Sequence, residues 1–193
     1  MALSNDIENL KKIDQCYKQL TGQGLFCPEE VEDRYQWLHN EAPYSILAHG
    51  RGPDPVFFYA NQCALNCFKY SPEEMVQLPS RLSAGPMDRA ERQVLLDTVT
   101  RDGIAKNYQG PRVDKFGETF IIYDGEVWQL GFNTDDVWGQ AALFLAISPP
   151  VILSKWTRFC AKAEFKPRRS KLRGGLSGAF LLGIILRIFS MFN

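Results

Sequence analysis

Histidine is the scarcest chemical resource in this chain, with only His39 and His49 among 193 residues. The five cysteines, Cys16, Cys27, Cys63, Cys67 and Cys160, are scattered and odd in number, which argues against a disulfide framework. No secretory signal opens the sequence, so free thiols in a reducing, intracellular and cytoplasmic setting are expected. Cys63 and Cys67 stand four apart on a predicted helix, a spacing that offers two metal ligands. With no second pair and no neighbouring histidine to complete the set, they read as small apolar filler and no metal site is expected. A glycine-rich phosphate loop is also missing, which removes the parallel nucleotide-binding folds.

Basic charge is short in one half only. Residues 1–150 hold 13 basic and 21 acidic side chains, whereas residues 151–193 hold nine and one. An acidic body argues against nucleic acid as a partner of the main domain, because phosphate contact needs a basic face. The tail differs in kind. Beyond Ser148-Pro149-Pro150 a basic stretch precedes an apolar one, Leu176 to Phe192, which at 17 residues is under the ~20 needed for a span. It contains Arg187, which costs up to ~2.5–3.5 kcal/mol at a bilayer centre and less near an interface. A GxxxG from Gly174 to Gly178 adds a weak helix-pairing signal. Three readings stay open: a membrane anchor through residues 176–192, an amphipathic helix on anionic lipid, or an extension without a role.

Residues 6–21 place Ile7, Leu10, Ile13, Tyr17 and Leu20 on one helical face, with Gly22 as a stop. The pattern predicts a second helix from Pro28 through Val31, Tyr35 and Leu38 to Pro43. Either helix can pack on the body, and the first also offers a homodimer surface. Strand patterning follows at Tyr44–His49, then a Gly/Pro turn, then Val56–Tyr59. Asn61 opens a short helix, and Ser71, with Pro72 and Glu74, opens another as a capping box. A longer helix is expected from Met87 to Arg101, and then strands at 104–113, 118–130 and 138–147, the first two joined by Asp114 to Gly117 and the last two by Gly131 to Asp136. This order predicts an α+β fold: an antiparallel sheet with helices on one face, plus N-terminal helices and a C-terminal apolar tail. The division is 1–43 helical extension, 44–147 core, 148–175 basic linker and 176–193 apolar tail.

The element order is that of PAS domains, and closer pieces resemble the MEKHLA domain family, a PAS-related family. They are CYKQLTGQGL (16–25), YSILAHG (44–50), DPVFFYANQCAL (54–65), LPSRLSA (78–84), RAERQVLL (89–96), NYQGPR (107–112), VWQL (127–130) and GQAALF (139–144). The resemblance covers about residues 7–147. The hexapeptide that names the family is absent, and no homeodomain, leucine zipper or basic region precedes the domain. The resemblance thus implies the stand-alone form, a sensory or protein-interaction module without the DNA binding of the plant factors.

PAS-like domains commonly hold a ligand between sheet and helices. A cysteinyl-flavin site is disfavoured, because Leu78 to Leu82 occupies the place of the reactive-cysteine segment and Asn66-Cys67 lies one helix too early. Histidine-ligated haem is disfavoured too, since the longer helix carries no histidine. A non-covalent flavin, a small metabolite or a packed core remain, so the cofactor is unknown. From predicted inward direction and resemblance, Phe58, Leu65 and Phe68 are expected as apolar wall and Arg81, Tyr108, Arg112 and Gln140 as polar contacts. The two arginines fit either an anion or salt bridges to body acids such as Glu74 or Glu118. No catalytic residue is expected. The enzymatic alternative rests on Cys67, His49 and Asp54, which lie on different elements with no visible base and oxyanion set.

Overall fold

The computed structural model describes residues 2–85, 89–131 and 136–146, with side chains beginning at residue 5 and, after residue 85, at residue 93. Helix α1 (Ala2–Thr21) ends where Gly22, at φ +79°, donates its amide to the Lys18 carbonyl. Leu10 and Ile13 of its apolar face are fully buried in the chain's own body, while Leu20 is exposed.

The second helix departs from expectation. It begins at Arg34 rather than Pro28, as α2 (Arg34–Asn40), because the Asp33 carboxylate accepts the Gln36 amide and caps it there. Residues Pro28 to Val31 instead close a turn, Val31 N donating to the Pro28 carbonyl.

Strands β1 (Ser45–Gly50) and β2 (Phe57–Ala60) form the first antiparallel pair. Helices α3 (Gln62–Phe68) and α4 (Pro72–Met75), a 3₁₀ turn (Ser80–Ser83) and α5 (Arg89–Asp102) follow. The Asn61 and Ser71 caps form as their residue types dictate, the second with both hydrogen bonds of the capping box. The chain then completes the sheet with β3 (Ile104–Val113), β4 (Thr119–Leu130) and β5 (Gly139–Ala146). In the β3–β4 turn the Asp114 carboxylate accepts the amides of Phe116 and Glu118.

The sheet order is β2-β1-β5-β4-β3, with every pairing antiparallel. The fold is α+β, and both faces of its sheet are covered. Leu47, Ile122, Phe144 and Ala146 on one face form a buried cluster with Ala64, Leu65 and Phe68 of α3. Trp128 points the other way, because the register shift between Tyr123 and Glu126 offsets the alternation along β4 by one residue, and it meets the Tyr17 ring of α1 at 4.9 Å. No helix among the described residues is long and apolar enough to cross a membrane. The basic linker, the apolar tail and residues 132–135 of the β4–β5 connection lie outside the described residues.

Candidate functional site

The crossover from β2 at one sheet edge to β3 at the other carries α3, the 3₁₀ turn and α5 across the inner face. A cavity of about 60 Å³ remains beneath them, lined by Phe57, Phe68, Ser83, Leu95, Tyr108 and Arg112 among others. At the β3 end, Arg112 is only 8% exposed. Its Nη1 donates to the Tyr108 hydroxyl at 3.1 Å and to the Pro111 carbonyl at 2.8 Å, and the guanidinium lies 5.0 Å from the Tyr108 ring centre. Gly110 makes this possible: a Cβ there would sit 2.6 Å from the Tyr108 hydroxyl. The small residue between them lets the tyrosine lie along the strand toward the arginine.

The cavity has two polar ends. Arg112 is paired across the sheet with Phe120 of β4, whereas Gln140 of β5 faces Gln129, nine positions further along the same strand. Gln140 therefore stands with its β1 partner His49, which also lines the cavity and bonds the Gly50 carbonyl through Nδ1 at 2.8 Å. Inward direction and resemblance together point to Arg81, Tyr108, Arg112 and Gln140 as polar contacts; the sheet register separates the Gln140 amide from Arg112.

Of the residues expected at a ligand, Phe68, Tyr108, Arg112 and Gln140 line the cavity, and Phe58, Leu65 and Arg81 do not. Phe57 takes the place expected of Phe58, whose ring packs on Trp138 at 5.6 Å. The register shift between Ala48 and His49 decides this, since one residue of slip turns a strand side chain to the other face. Leu65 is buried within the adjoining core. Arg81 donates from Nε to Asp54 at 3.0 Å on the surface, the salt-bridge alternative with a different acid, because Glu74 is held by Lys115 at 2.6 Å.

Those pairings also place the residues of the enzymatic alternative. Asp54 is engaged by Arg81, Cys67 lies 3.7 Å from the Ser45 hydroxyl on α3, and His49 borders the cavity. Among the described residues no group of three or more His, Cys, Asp or Glu is placed to hold a metal ion. The cavity, at about 60 Å³, is smaller than ligand pockets of drug size, which start at roughly 300 Å³.

The architecture is shared with solved structures. One is the PAS domain of a protein from Colwellia psychrerythraea, 13% identical, covering 60% of this chain and 95% of that one at a TM-score of 0.51. Another is a LOV protein of Rhodobacter sphaeroides, 10% identical, covering 77% of this chain and 75% of that one at a TM-score of 0.50. At such identities the likeness is one of fold. No curated protein matches this chain. Residues 7–148 match the model of the MEKHLA domain, and the chain belongs to the MEKHLA domain family.

Proposed function

We propose that this protein is a non-catalytic sensory module of the PAS type whose cavity between sheet and helices receives a small molecule. The observation that carries this reading is the cavity itself, bordered at once by β1 to β5, α3, the 3₁₀ turn and α5. A ligand there borders these elements, so its binding energy acts on their packing. Attachment to anionic membrane through the basic and apolar residues beyond 150 is a second part of the proposal, supported by their nine basic and single acidic side chains.

Native mass spectrometry of the full chain purified from cells, followed by denaturing release, tests the ligand. A retained small molecule that a Phe144→Trp variant no longer holds supports the reading. A chain that stays empty and binds nothing from a panel of small apolar and polar metabolites overturns it.

A further inference from the structure

We infer that Arg112 and Tyr108 form the anchoring end of a site for a small carboxylate with a short apolar chain. This deepens the reading of the cavity as a ligand site and rests on it.

Buried charges elsewhere in the described structure come with counter-ions. Asp14 is bound by Arg34 at 3.1 Å, Glu126 by Lys106 at 3.4 Å, and Asp114 by Lys69. Arg112 is the exception: it is buried to a similar degree, yet no carboxylate among the described residues lies within ion-pair distance of it. A buried cation without an anion is costly, and the cost is relieved when a ligand brings the missing charge.

The unused donors have the right form. Nη1 is taken by Tyr108 and Pro111, while Nε and Nη2 make no hydrogen bond among the described residues. Two parallel N–H donors on one edge of a guanidinium match the two oxygens of a carboxylate. Ser83, His49 and Gln140 are the other polar lining of the cavity, and the walls packed beside Tyr108 are Phe68, Ile122 and Phe144, which offer apolar contact and no donors. A phosphate would leave oxygens unsatisfied against them, whereas an alkyl chain would not. At about 60 Å³ the space suits a compact ligand, since one water-sized group takes ~10–15 Å³ of such volume. A four-carbon acid has the corresponding number of heavy atoms.

The test titrates the full chain with butyrate and, separately, with n-butanol, its uncharged counterpart, following binding by calorimetry and by NMR. Butyrate is expected to bind at least tenfold more tightly than n-butanol, and Arg112→Gln to remove that preference. Should that variant fail to fold, the Arg112 Nε–H resonance of the unmodified chain is read instead, with a shift expected on adding butyrate and none with n-butanol. Equal binding of the two probes, or an unmoved Nε–H signal, overturns the carboxylate anchor and leaves the cavity reading standing. Absence of any binding by either probe overturns the carboxylate anchor, whereas the cavity reading falls only if the chain purified from cells also holds no small molecule and binds none of the metabolite panel.

Discussion

Tyr17 donates its phenolic hydrogen to Glu126 Oε2 at 2.9 Å, joining α1 to β4 across 109 positions of sequence. The carboxylate is 3% exposed and has Lys106 Nζ as its other partner, at 3.4 Å. Burial first, and then the negative charge of Glu126, push the Tyr17 phenol well above its ordinary range, so it is protonated and a donor at neutral pH. The N-terminal helix is therefore a structural part of the body.

Tyr17→Phe keeps the ring contact with Trp128 and deletes a hydrogen bond to a buried charge. The expected loss is about 1.5–3 kcal/mol, read from urea unfolding. Removing residues 1–25 should abolish cooperative unfolding altogether, because it uncovers Glu126 and Trp128 together. A truncated chain with an unchanged unfolding midpoint would reject this account of α1.

Asn61 uses its whole amide. Its Oδ1 accepts from Ile46 and Ala64 at 2.9 and 3.0 Å, and its Nδ2 donates to the carbonyls of Leu38 and Tyr44 at 3.1 and 2.9 Å. Asn61→Ala leaves four buried backbone groups without partners, at an expected cost of about 3–5 kcal/mol. Thermal denaturation would show a large drop in Tm; a drop no bigger than that of an exposed helix-cap mutant would mean the amide serves only as a cap.

His39 predicts an acid sensitivity. Its Nδ1 lies 3.2 Å from the Tyr59 hydroxyl, and burial lowers its pKa below the ordinary value of about 6.5. The unfolded chain then takes up the proton more readily than the folded one, so this contribution is complete above pH 6.5 and is lost as pH falls through that value toward the lower folded one. His39→Gln should lose less stability than the native chain between pH 7.5 and 5.5. Parallel losses in denaturant titrations at the two pH values would assign the acid response to other groups.

Local chemistry made several elements legible from sequence. Ser71 with Glu74, Asn61 before its helix, and Gly22 after α1 act through side chains or backbone only a few residues away, so their types suffice. The start of α2 was misplaced because Pro28 and its acidic neighbours are acceptable helix openers in isolation, and the Asp33 cap competed successfully with them. Phe57 and Phe58 are chemically identical neighbours, so no composition rule could choose which one faces inward.

By itself the sequence determined the order of helices and strands, the α+β class, the MEKHLA membership and the charge contrast between body and tail, since each depends on residue type, spacing or motif alone. The tertiary structure decided which face each strand side chain occupies, that Glu126 is buried beneath Tyr17, and that Arg112 is buried near Tyr108 with no acid among the described residues within ion-pair distance. Those outcomes depend on strand register and bulges, which arise from packing between segments up to 109 residues apart and have no local signature.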